Sequence, residues 1–234
     1  MCLIVNSGAS QKGMTLIELM VAVAVGLLLL SVAASIGLGS LKDSKNTAGN
    51  ANAVNNLQAI VQTVAQELRR AGYNADIDVE SDDSRTFRKI WFFGGTGNSG
   101  HTSVIFRYDR AAPSTALTPP GDGTVTLANN EVRGLCVSGD TVQILTKAAA
   151  LQPSTPAGAI TGCYPNSAGW EWEPISAPDG LKITSASFHI IDTLLTDGRV
   201  ADSIIFKLNG VAANGNAVNA QELIQLRNRP FIQP

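Results

Sequence analysis

The side chains in this sequence whose type and spacing could support chemistry are few, and the most unusual is a single carboxylate. Glu18 is the one charged residue between Met14 and Leu38, a stretch otherwise made of Leu, Val, Ile, Ala, Met, Gly, Ser and Thr. A carboxylate inside an apolar helix costs roughly 2.5–3.5 kcal/mol on insertion scales, so it is normally retained for a positive partner. Lys12 and Gly13 stand immediately before the run. Of the three cysteines, Cys2 lies ahead of this point, which leaves Cys136 and Cys163 as an even pair. Two histidines, His101 and His189, are far apart in sequence and lack metal-ligand spacing such as His-Glu-x-x-His. Asp76, Asp78, Glu80, Asp82 and Asp83 form an acidic cluster. Alternating carboxylates can supply oxygen ligands for Ca²⁺, but the cluster lacks the glycine and closing glutamate of an EF-hand, and a solvated acidic loop is the preferred reading. Residues 74–100 read as a loop region that ends in Gly94 to Gly100, a flexible glycine-rich turn without the Lys-Ser/Thr of a phosphate loop. No Gly-x-Ser-x-Gly is present, so catalysis finds no support and no metal or cofactor is expected.

The element that carries Glu18 is long. A helix from Met14 to Leu38 rises about 37 Å, enough to cross a bilayer core. A polar stretch, Lys42 to Asn52, leads into Val54, Leu57, Val61, Val64 and Leu68, widened by Ile60. These positions recur by three and four, the stripe of an amphipathic helix that packs on a core. Gly72 suits a left-handed C-cap, with Tyr73 folding back over the last turn. The spacing therefore predicts a helix from Met14 to about Ala71, loosened or kinked near Gly37 to Gly49.

Lys12-Gly13-Met14-Thr15-Leu16-Ile17-Glu18-Leu19, followed by the apolar run and no early proline, resembles the N-terminus of type IV pilins and pseudopilins. The resemblance implies that a prepilin peptidase cuts after Gly13 and that the new amine of Met14 is methylated. It also implies that Glu18 meets the positive N-terminus of a neighbouring subunit when helices stack into a filament, which would fix axial register. An ordinary signal anchor with a stray Glu is the competing account. Leu57-Gln58, the ending Leu68-Arg69-Arg70-Ala71-Gly72-Tyr73 and the strand Leu223 to Arg229 resemble PilW-type minor pilins, with J-type pseudopilins similar. Residues 1–13 are then a leader, 14–38 the membrane and filament-core helix, 39–73 its amphipathic half, and 74–234 a periplasmic or extracellular domain. In an oxidising compartment Cys136 and Cys163 favour a disulfide whose loop of about 28 residues contributes roughly 3–4 kcal/mol. Two free thiols or a metal pair are the alternatives.

Composition fits a tethered, exported domain: 234 residues, 44% hydrophobic, 15% charged and a formal charge of −2. Near neutrality leaves no electrostatic footprint for nucleic acid. From His101 on, the pattern is strands: Ser103 to Tyr108, Thr124 to Leu127, Val132 to Val137, Thr141 to Thr146, Leu181 to Ile191, Val200 to Leu208 and Gln221 to Arg227. Ser138-Gly139-Asp140 and Asp197-Gly198 read as turns, Asn209-Gly210 with Asn214-Gly215-Asn216 as a longer loop, and residues 147–169 as a surface loop pinned by Cys163. Trp172 with Pro174 reads as an anchor on the sheet edge, or as a contact to a neighbouring subunit. The fold class expected is α+β, one long helix backed by an antiparallel sheet. Three functions compete: a minor pilin acting in initiation, assembly or at the tip of a type IV pilus; a minor pseudopilin of a type II secretion system; and an anchored binding domain that never polymerises. For a pilin the partners implied are other major and minor pilins, the prepilin peptidase, the inner membrane and the pilus assembly platform.

Overall fold

A computed structural model describes residues 13–73, 87–109, 129–154, 160, 162–175, 181–196 and 198–233. Helix α1 spans Leu16–Arg69. Among the described residues nine strands follow: β1 Lys89–Phe93, β2 Ser103–Arg107, β3 Val132–Ser138, β4 Thr141–Lys147, β5 Glu171–Pro174, β6 Leu181–Leu195, β7 Gly198–Ala212, β8 Ala217–Gln225 and β9 Phe231–Ile232. They form one sheet in the order β5-β4-β3-β2-β1-β9-β7-β6, with β8 paired to β7. This is the α+β architecture the sequence predicts. All pairings are antiparallel except β1 with β9. The chain divides into two compact units, up to Thr47 and from Ala48 onward.

In the first unit α1 is exposed along its apolar length, and it is the one described helix long and apolar enough to cross a bilayer. Helix α1 continues without a gap through Gly37, Gly39 and Gly49. Each glycine costs about 1 kcal/mol against alanine in a helix interior. No proline removes a backbone donor in this stretch, so Leu, Ala and Lys neighbours carry the helix across.

In the second unit α1 lies on the sheet. Ala53, Leu57, Ile60, Val61, Val64, Ala65 and Leu68 are its buried positions. Val54, expected in that stripe, is 37% exposed, and Ala53 takes the inward position. Fully burying a side chain such as Leu57 or Val64 is worth about 1.5–3 kcal/mol. The helix face shares one apolar cluster with Ile90, Val104, Phe106, Phe188, Ile204 and Phe206 of the sheet. Gly72 ends the helix with φ +77 and donates its N–H to Arg107 O at 2.7 Å. The positive φ favours glycine there, and a Cβ would stand tightly, 3.2 Å from Asn228 Cβ.

A second, smaller apolar cluster lies among Trp91, Phe93, Ile105, Val132, Leu145 and Ala148, packed with Tyr164, Trp170 and Trp172. Strand side chains alternate between faces, so Ile90 joins the helix side while Trp91 joins this cluster. The segment after β4 therefore acts as a cover for one end of the sheet. Ser138↔Thr141 pairing confirms the hairpin at Gly139-Asp140, where Gly139 has φ +60.

The structure revises four strand readings. Residues 74–100, read as loop throughout, contain β1. Asn209-Gly210, read as a turn, lies inside β7, where a Cβ on Gly210 would meet Leu181 Cδ1 at 2.8 Å and Lys182 O at 3.0 Å. The glycine there permits close strand approach, and the turn is Asn214-Gly215, with Gly215 at φ +87. β8 covers Ala217–Gln225, earlier than the expected Gln221 to Arg227. β9 was not anticipated, and it joins the two halves of the sheet. The strand expected at Thr124 to Leu127 and the acidic cluster at 76–83 lie outside the described residues.

Candidate functional site

The N-terminus of α1 is built by Thr15 and Glu18. The Thr15 N–H and hydroxyl both donate to Glu18 Oε2 at 3.2 Å, and the Glu18 N–H donates to Thr15 Oγ1 at 3.3 Å. This is a capping box: a hydroxyl at the N-cap and a carboxylate three residues on satisfy each other's backbone donors. The carboxylate also sits where the helix dipole favours negative charge. Among the described residues Glu18 meets no cation, so its charge stays available at the helix end. Sequence reasoning singled out Glu18 but passed over Thr15, although the Thr-x-x-Glu spacing was the signal for it. Gly13 and Met14 are exposed just ahead of the cap, with Met14 at 68%.

Beyond the cap, large apolar side chains face outward all round the helix, from Leu16 at 76% to Leu41 at 69%. An apolar helix of this kind has either lipid or other apolar helices as its natural surroundings. The candidate site is therefore an exposed end (Gly13, Met14, Glu18) on an uncovered apolar helix.

Cys136 and Cys163 are joined as a disulfide, Cα to Cα 5.4 Å across a separation of 27 residues. Cys136 lies on β3 at full burial, and the bond ties the covering segment to the sheet. Next to it Ser103 Oγ donates to Tyr164 O at 2.8 Å, and Trp172 Nε1 donates to Pro165 O at 2.9 Å. Trp172, on edge strand β5, packs inward on the second cluster, which is the anchoring role expected of it.

The two histidines, distant in sequence, are brought together. His101 exchanges backbone hydrogen bonds with Phe188, the neighbour of His189 (3.1 and 2.8 Å). His101 is 6% exposed, and its Nε2 lies 2.9 Å from Gly97 O, which makes Nε2 the donor. Nδ1 is buried without a partner among the described residues. Burial pushes the His101 imidazole below its ordinary value; the Gly97 carbonyl opposes this and the charge of His189 adds to it. The same loop is clasped to the β6–β7 hairpin: Asn98 Nδ2 donates to Asp192 Oδ1 at 2.6 Å, and Arg199 bonds both Asn98 and Asp192. Arg199 holds the Asp192 carboxyl below the usual carboxylate range. This glycine-rich loop, read as a flexible turn, is thus a strap across the sheet. Among the described residues no group of His, Cys, Asp and Glu is placed to hold a metal.

Two family models match the chain. The prokaryotic N-terminal methylation motif matches residues 8–34, which contain Gly13, Met14 and Glu18. A family described as prepilin peptidase-dependent protein B matches residues 46–227, which contain the amphipathic part of α1 and strands β1 to β8. No curated protein and no solved structure is significantly similar to the chain.

Proposed function

Because this chain belongs to the prepilin peptidase-dependent protein B family and carries the prokaryotic N-terminal methylation motif, we propose that it is a minor pilin of a type IV pilus. In this reading it takes part in filament initiation or stands near the tip. The observation that carries it is the methylation motif laid over an exposed apolar helix whose third position is Glu18. A prepilin peptidase cuts between Gly13 and Met14, and the freed amine of Met14 is methylated. The helix waits in the inner membrane with its β-rich domain on the outer side, then leaves lipid for a bundle of sister helices.

The capping box supplies a physical account of the step between the two states. In the single chain Glu18 is held by Thr15, which bonds the carboxylate without cancelling its charge. In a bundle the positive α-amine of an adjacent subunit competes for the same carboxylate. At an effective dielectric near 20 a charge pair at 4 Å is worth about 4 kcal/mol, more than a hydroxyl bond to a carboxylate of about 1.5–3 kcal/mol. The carboxylate would therefore pass from its own cap to its neighbour as the filament forms. No catalysis is needed in this role.

N-terminal sequencing of protein recovered from membranes tests the reading: methylated Met14 is the expected first residue, and a chain still beginning at Met1 refutes it. Glu18→Ala should leave membrane insertion intact and sharply reduce the protein in sheared fibres. Unchanged incorporation would remove the register role. Loss of piliation or motility in a deletion strain separates the pilus from a secretion system, where loss of secretion would be seen instead.

A further inference from the structure

Among the described residues the sheet has three outer edges, and one of them is left open. β5 is four residues long, carries Glu171 and Glu173, and ends at Pro174. The outer edge of β6 is crossed by the strap through Phe188 and Ile190, and its register is broken by irregularities at Ile183/Ser185 and Ile191/Asp192. Short length, charge, proline, bulges and a covering loop are the devices by which sheet edges are protected from pairing.

β8 has none of them. Its register with β7 runs from Val211↔Ala217 to Ser203↔Gln225 without a shift. Its one charge, Glu222, is paired with Arg69 of α1 at 2.6 Å. Ala212 N–H bonds Asn216 O at one end of the ladder and Leu226 N–H bonds Asp202 O at the other. In an antiparallel ladder bonded and non-bonded pairs alternate. Ala217, Asn219, Gln221, Leu223 and Gln225 therefore direct their N–H and C=O groups away from β7. All five are exposed, and among the described residues these backbone groups have no partner.

We propose that this edge is completed by the same edge of a second copy of the chain, the two β8 strands running antiparallel about a two-fold axis at Leu223. A second copy is favoured because the strand is complementary to itself. Rotation about Leu223 sets Gln221 opposite Gln225 of the other copy and opposes no like charges. It also satisfies the apolar row on the outer face: Leu223, 53% exposed, lies directly across from half-buried Ile205 and ends at the open edge. Pairing continues the row as Ile205, Leu223 and the same two residues of the partner copy. The recognition is main-chain strand addition, with one apolar pair fixing the register.

The test uses the full chain in detergent micelles, followed by sedimentation equilibrium and residue-resolved amide exchange. The wild type is expected to dimerise with rising concentration, and Leu223→Lys, which opposes two ammonium groups at the axis, to weaken the dimer about tenfold or more. Amides of Asn219, Gln221 and Gln225 should exchange slowly in the wild-type dimer and fast in the variant. Amides of Ala220, Glu222 and Ile224 should stay slow in both, showing the fold intact. A wild type that remains monomeric, or a dimer indifferent to Leu223→Lys, overturns the proposal. So do Asn219, Gln221 and Gln225 amides that stay equally slow in a monomeric variant, since the edge would then be covered by the chain itself.

Discussion

At the scale of single residues, three positions show how differently a sequence reveals its physics. Glu18 is conspicuous because a charge in an apolar run has no packing reason to be there, and Gly72 because a glycine after a periodic stripe is a natural helix end. His101 gave no warning. Its burial comes from a backbone bridge to Phe188, a contact between residues that no local pattern connects. That burial has a pH consequence. The folded-state value lies below the unfolded one, so above about pH 6.5 both states are neutral and His101 contributes no slope. As pH falls below that point the unfolded chain takes up the proton first, and stability drops. The groups facing the imidazole are His189, whose charge acts in the same direction, and the Gly97 carbonyl. Asp192 and Arg199 secure the strap close by, and the carboxyl of Asp192 is held low, so its contribution is lost only in stronger acid. Urea denaturation should show the midpoint falling as pH drops below about 6.5 in the wild type, and a flatter profile in His101→Gln.

At the scale of elements, patterns with one buried face were readable and patterns with two were not. The stripe Leu57, Ile60, Val61, Val64 and Leu68 packs as its spacing of three and four requires. β6 and β7 alternate for most of their length and were found, though β7 runs on through Asn209-Gly210 because the glycine answers to Leu181 of β6 rather than to a turn. β1, Lys89-Ile90-Trp91-Phe92-Phe93, contributes to both apolar clusters, so it lacks the period of two and follows an acidic, loop-like stretch. β9 is two residues long and exists only by its neighbours. The covering segment after β4 has little pattern, and its hold on the sheet rests on Cys163, Tyr164 and Trp172. Replacing Cys136 and Cys163 together by Ala should lower unfolding free energy by about 3 kcal/mol, from the freed loop and the loss of a buried side chain. Guanidinium titration at neutral pH measures it, and the reduced wild type, which keeps the buried Cys136 side chain, is expected to lose less than the double variant.

At the scale of the whole molecule, the boundary at Ala48 separates two kinds of surface. Before it, apolar side chains are exposed; after it, the chain has its own core, beginning at Ala53. A fragment starting at Ala48 should therefore dissolve without detergent and unfold in one cooperative thermal transition. Loss of near-ultraviolet circular dichroism in that fragment would show that the core depends on the apolar part of the helix. The sheet itself has an order of closure written into it. β9, later in the chain than every other strand, lies between β1 and β7 and pairs with both. A chain cut short before Phe231 would keep its β1–β5 and β6–β8 halves in register through α1 and the strap, but it would lack the backbone ladder that makes them one continuous sheet.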